Sequence, residues 1–571
     1  MTRAASASLC LLLVFSLNAF ANGGKIKINV VDPPGVGFND PTAVAPVGGN
    51  PKTTLGEQRL FVFEVAASIW EATLQPNVDV VIQGSFAPLT CTPTSGVLGA
   101  AGTIQIFANF PDAEWPNTWY HSALANHIAH EDLTPGPPDP GLLQPPFNDD
   151  IVAYFNGDLG VNPDCLTGLT WYNGVDNSPP ANGIDLLNVV LHEFAHGLGF
   201  ANFMDDSTGT AIAGLGDIYS AFAYDSTQGL YWNQMDKRQR SVAAVNTGNV
   251  TWRGPEVTAD VPGTLAGRAV VRTALFGDFQ AQSASYGLPV PPPPGVSGEV
   301  VPYNDGSGDT NDACDLVLDP NVAGKIALIR RGTCNFSLKS ALAQLSGAVG
   351  VIITNNAPSG PAPMGGTDLI APAITSVGVS LADGNQLRAN LPLTATLVAD
   401  PALGFAGADD DGFALLYAPN PVQPGSSISH WDITLTPNAI MEPSINSDLK
   451  GATDLDLTPA QMRDVGWDEV LSCPVGSDDR EEVEVGACGT GVFNQRGPFA
   501  FSGGLGGRAN GNAYGVDLMG GCYIQDMVNA CGRQGSAGQV ESCIAQTADY
   551  LRKAGAITKK QADDIKACAS N

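Results

Sequence analysis

One run of residues, "VVLHEFAHGLGFANF" at 189–203, constrains this chain more than any other. It carries His192, Glu193 and His196 in the spacing H-E-x-x-H, followed by Gly199. The wider stretch "IDLLNVVLHEFAHGL" is apolar at Leu186, Leu187, Val190, Phe194 and Leu198, the spacing of a helix that stops near Gly199. On that helix His192 and His196 lie one turn apart on one face, so both imidazoles can reach one metal ion. Glu193 stands beside the first, where its carboxylate can take a proton from water on the metal. The plainer reading is a buried helix with two satisfied histidines. An apolar helix whose polar residues keep to the motif face favours the metal.

A catalytic zinc takes three protein ligands and leaves one position open. Asn202 stands where a compact zinc protease of this kind would place its third histidine. Of the six histidines, His121, His127 and His130 precede the motif and only His430 follows it. His430 lies in "SSISHWDITLTPNAIMEPS", eleven residues before Met441 in "IMEP". A ligand shortly followed by a tight turn with a methionine is the metzincin arrangement, in which the turn floors the metal. The expected third ligand is therefore His430, more than two hundred residues beyond Gly199.

"HEFAHGLGF", a long insertion, then "SHWD" and "IMEP" together resemble the leishmanolysin type of metzincin. The resemblance implies one catalytic zinc held by His192, His196 and His430, with Glu193 as general base and Met441 in the Met-turn. It also implies that Asn202 is not a ligand. In metzincins an edge strand before the active helix commonly pairs with extended substrate, and "DIVAYFNGDL" precedes this helix. An ordinary sheet strand is the alternative. Within the insertion, "GKIALIRRGTCNFSLKSALAQLSGAVGVIITNN" is similar to protease-associated (PA) domains, binding or lid modules without catalytic residues of their own. The combination resembles secreted bacterial metalloproteases in which a PA domain interrupts the catalytic domain.

A chain of 571 residues exceeds one ordinary core. Local patterns predict strands in "KIKINVV", "VDVVIQG", "GTIQIFANF" and "DIVAYFNGDL", with a helix over "LGEQRLFVFEVAASIWEATL". "GKIALIRRG" and "GVIITNN" flank the helical "SLKSALAQLSGA", as in a small α/β module. The expected fold class is α+β: a metzincin-like protease domain interrupted by an α/β PA domain, plus a disulfide-rich C-terminal domain. The expected boundaries begin with a signal peptide at 1–21 and the N-terminal segment of the catalytic domain at 22–254. The PA domain follows at 255–400, the catalytic domain resumes over 401–470, and 471–571 form the Cys-rich domain.

The export signal rests on Arg3, the apolar "LCLLLVFSLNAF" and the cleavage site Ala19-Phe20-Ala21. The run is too short to span a membrane. Ten cysteines follow it, in blocks of two (Cys91, Cys165), two (Cys314, Cys334) and six (Cys473 to Cys568), as intradomain disulfides in an oxidising compartment require. A net charge of -30 argues against nucleic acid and anionic membranes as partners. Protein or peptide substrates fit, as does secretion.

Other groups carry less. His121, His127 and His130 could make a second metal site with Glu131 or Asp132, but read better as surface residues. Asp305, Asp309, Asp312 and Asp315, or Asp409 to Asp411, could bind calcium. The first set breaks the EF-hand pattern at Thr310, and solvated acidic loops are the simpler expectation. No propeptide cysteine switch is evident, since Cys10 lies in the signal.

The reading is a secreted zinc metalloendopeptidase. Its rivals are a non-catalytic secreted binding protein with a structural zinc, and a narrow peptidase acting on one partner. An intact Glu193 counts against the structural-zinc reading, because such a site needs no base.

Overall fold

Thr54 starts the first long helix by accepting the Glu57 backbone N–H, and the chain then runs as α1 (Leu55–Leu74) until Gln75 turns left-handed. This computed structural model describes residues 24–133, 149–306, 311–365, 372–446 and 448–467, with 482–485, 488–493 and parts of 544–569. Within them the chain is mixed α/β. α1 packs on a four-stranded sheet of β1 (Ile26–Val30), β2 (Val80–Ala87), β3 (Gly99–Thr103) and a later strand, Ile151–Asn156. That later strand lies between β2 and β3, parallel to the first and antiparallel to the second.

Two local expectations are corrected here. "DIVAYFNGDL" is an inner strand, and the edges are β1 and β3. "GTIQIFANF" is not one strand either. It ends β3 at Thr103 and resumes as β4 (Ile106–Phe107), which pairs with β5 (Thr118–His121) in another sheet. The Thr103 hydroxyl causes the break: it donates to the Gln105 carbonyl at 2.5 Å and accepts the Ser122 N–H at 2.9 Å.

α2 (Ser122–Ala129) and α3 (Leu186–Leu198) follow. All thirteen residues of α3 are buried. Asp185 caps it, accepting the Leu187 N–H at 3.0 Å, and Gly199 ends it at φ 149°, a backbone region that favours glycine. Trp70 on α1 donates its indole N–H to the Leu191 carbonyl, and Trp467 donates to that of Leu198. Side chains such as Leu187, Leu191 and Phe194, wholly enclosed, each contribute about 1.5–3 kcal/mol of burial, an upper figure.

Seven strands form a closed barrel between Gly267 and Phe405. Their order around it is 267–273, 277–283, 376–379, 350–354, 326–330, 296–302 and 393–405. The barrel has apolar clusters of its own, one inside it and one under the helix Phe336–Leu345. After Phe405 the chain returns to the first core, where Trp431, Met441, Leu457 and Met462 lie with α1 and α3. The helix Pro255–Thr264 also belongs to that core through Val257 and Val261. Hydrogen bonds from Trp252 to Ala414 (2.8 Å) and from Leu416 to Val250 (2.9 Å) stitch the two stretches together.

Disulfides join Cys91 to Cys165 and Cys314 to Cys334. No helix among the described residues is long and apolar enough to cross a membrane. The expected signal peptide lies outside them. So does most of the expected Cys-rich domain, of which the antiparallel strands Glu482–Val485 and Cys488–Phe493, the helix Lys559–Ala569 and disulfide-bonded Cys568 are described.

Candidate metal centre

α3 carries His192 and His196 on one face, and the returning chain brings His430 against them. All three are buried. The His192 Nε2 lies 3.2 Å from the Nε2 of both His196 and His430. Each ring points its Nδ1 at a carbonyl oxygen: Ile440 at 2.7 Å, Phe200 at 2.8 Å and Ser426 at 2.8 Å, respectively. A carbonyl only accepts, so each Nδ1 carries the proton and each Nε2 keeps its lone pair. Three lone pairs this close repel one another unless a cation lies between them. Tetrahedral zinc, with Zn–N of about 2.0–2.1 Å, separates its nitrogens by about 3.3 Å. The donor set therefore fits zinc.

Electrostatics agree. Burial pushes His192 down to about 4 and His196 down to about 3, and takes His430 well below the usual histidine value. Neutral imidazoles are the form that binds metal. Glu193 is forced the other way, up to about 8, by burial, with the Ala101 backbone N–H pulling it back. Its carboxylate faces β3. A Cβ on Gly99 would lie 2.6 Å from Glu193 Oε1, so the edge strand approaches the base only because this residue is glycine.

Met441 is wholly buried, and its carbonyl accepts the Trp431 N–H at 2.9 Å. The preceding carbonyl, of Ile440, is the one that holds His192. Buried Glu442 fastens this turn, accepting from the Ala439 N–H and from Asn446 Nδ2, both at 2.9 Å. Asn202 binds the Ser429 hydroxyl, one residue before His430.

The other histidines depart from expectation. His121 and His127 are buried and only His130 is exposed, because α2 turns its first two turns inward. The His121 ring packs against Phe203 with centroids 4.4 Å apart and that of His127 against Trp467 at 4.7 Å, both tilted. Neither joins a group of three potential ligands among the described residues, nor do Glu131, Asp132 or Asp409 to Asp411. Asp409 instead caps its own turn and faces Arg253, and Asp410 pairs with Arg268. Residues that hold the site but were given no role from the sequence are Gly99, Ala101, Phe200, Ser426, Ser429 and Ile440. Several act through the backbone, which leaves no mark in side-chain identity.

The PA domain family matches residues 296–387, so the barrel is a PA domain. Two curated relatives are similar over a short stretch. Leucine aminopeptidase 2 of Trichophyton rubrum is 36% identical over 124 residues, 21% of this chain and 21% of the relative. Leucine aminopeptidase 2 of Trichophyton equinum is 35% identical over 112 residues, 19% and 20% of the two chains. The chain thus spans about a fifth of the length of these relatives. Among solved structures, BSAP, a zinc aminopeptidase from Bacillus subtilis, aligns over 25% of this chain and 34% of its own at 24% identity and a TM-score of 0.20. An aminopeptidase from Aneurinibacillus sp. strain AM-1 covers 32% and 41% at 19% identity and a TM-score of 0.19. TM-scores this low carry no argument about this chain.

Proposed function

We propose that the chain is an exported zinc metallopeptidase of metzincin type that cuts within peptide chains. The carrying observation is the convergence of three Nε2 lone pairs, each tautomer set by a backbone carbonyl, with Glu193 next in sequence to His192. His192, His196 and His430 would hold the ion. Bound there, zinc supplies a water acidified to a pKa of about 7 and a Lewis acid for the scissile carbonyl. Glu193 accepts the proton of the attacking water and passes it to the departing amine. Burial raises its affinity for a proton. The outer side of β3, the sheet edge beside Glu193, offers backbone groups to an extended substrate. The turn bearing Met441 holds His192 through the Ile440 carbonyl. The two disulfides suit an oxidising compartment.

A second reading, an aminopeptidase, is favoured by the names of the curated relatives. Substrate termini separate the two. The purified protein is given casein and an N-acetylated peptide, and separately leucine p-nitroanilide. Internal cleavage of the blocked peptide, lost in Glu193→Ala, supports the endopeptidase. Hydrolysis of the free-amine substrate alone supports the aminopeptidase. Zinc bound with neither substrate cut leaves a binding protein.

A further inference from the structure

Two aspartates of the barrel's acidic stretch are not solvated as its sequence suggests, and Asp309 lies outside the described residues. Asp305 is 2% exposed and Asp312 6%, while Asp315 remains exposed. One carboxylate oxygen from each lies within 4.8 Å of the others. Asp312 is fully engaged: its Oδ1 accepts the Cys314 N–H at 3.1 Å and its Oδ2 the Thr333 hydroxyl at 2.8 Å. Asp305 is half satisfied. Its Oδ2 shares that Cys314 N–H at 3.3 Å, and its buried Oδ1 has no hydrogen-bond partner. An orphan carboxylate oxygen buried beside two further carboxylates is strongly unfavourable without a cation. The buried Lys339 ammonium meets the Asp312 carbonyl oxygen and the Cys314 sulfur.

We propose that Asp305, Asp312 and Asp315 bind a calcium ion in the PA domain, with Asp305 Oδ1 as its buried ligand. An all-oxygen set of carboxylates selects a hard cation over zinc, and an irregular set shared between loop and strand end suits calcium better than octahedral magnesium. The ion would tie the end of the strand Val296–Pro302 to the segment anchored by the Cys314–Cys334 disulfide. That segment leads into the helix Phe336–Leu345. The site is separate from the histidine cluster and does not depend on what that cluster does.

Calcium chloride is titrated by calorimetry into the purified protein freed of calcium, beside Asp305→Asn and Asp315→Asn. Asp315 is exposed, so its variant keeps the fold if buried Asp305→Asn does not. One saturable calcium event in the wild type, weakened about tenfold or more in Asp315→Asn and in any folded Asp305→Asn, is the expected result. Calcium should also raise the melting temperature of the wild type more than that of Asp315→Asn. Absence of a saturable event overturns the proposal, and so does wild-type calcium affinity in the variants, which would place the ion elsewhere.

Discussion

Asn202 grips the hydroxyl of Ser429 twice, through its backbone N–H at 3.1 Å and its Nδ2 at 3.0 Å, across 227 residues of sequence. The position where a compact zinc protease would carry a ligand here holds the segment that delivers a distant histidine. Asn202→Ala should therefore leave the fold intact and lower zinc affinity by about tenfold, as lost outer supports of metal ligands do. Competition with a chelator measures this, and excess zinc should restore activity. Unchanged affinity would mean that the Asn202 contact does not position His430.

The histidine set and the glutamate should separate cleanly. His430→Ala is expected to lose both zinc and activity. Glu193→Gln should keep about one zinc per chain and lose about 10²–10⁴-fold in kcat. Metal analysis beside peptide cleavage reads both. Full zinc and activity in His430→Ala would move the third ligand elsewhere.

Gly99→Ala tests the approach of β3 to the base. The new Cβ would lie 2.6 Å from Glu193 Oε1, so strand or carboxylate must shift. A displacement near 1 Å costs about 10²-fold in rate. Zinc content should not change, since none of the three histidines is touched. A variant as fast as wild type would show that the base has another productive position.

Glu442 supplies a pH signature. Burial pushes its carboxyl up to about 9 from an ordinary 4.5. A folded value above the unfolded one means that its stabilisation is complete below about pH 4.5 and is lost as pH rises through about 9. Glu442→Gln, which cannot ionise, should melt at an increasingly higher temperature relative to wild type from pH 5 to pH 9. Thermal melts at pH 5, 7 and 9 read the difference, and a constant offset would count against a neutral Glu442.

Much of the local structure was legible. The helix patterns over 55–74 and 186–198 match α1 and α3, because apolar spacing at a period of 3.6 survives whatever the helix packs against. The strand in "DIVAYFNGDL" was also readable, but its place inside the sheet was not. Which strand is an edge depends on partners supplied by residues 80–87 and 99–103. His121 and His127 looked superficial because a short helix before a Pro-rich loop says nothing about which side meets the core.

By itself, then, the sequence determined that one helix would present two histidines on a common face with a glutamate next to the first, and that a PA domain would interrupt the chain after it. Only the tertiary structure decided which carbonyls set the histidine tautomers, how Asn202 secures the segment bearing His430, and that Asp305 is buried with an unpaired oxygen. The physical reason is range. Periodicity and capping act over a few residues, whereas lone-pair direction, burial and charge pairing depend on groups hundreds of residues apart that meet only once the core has closed.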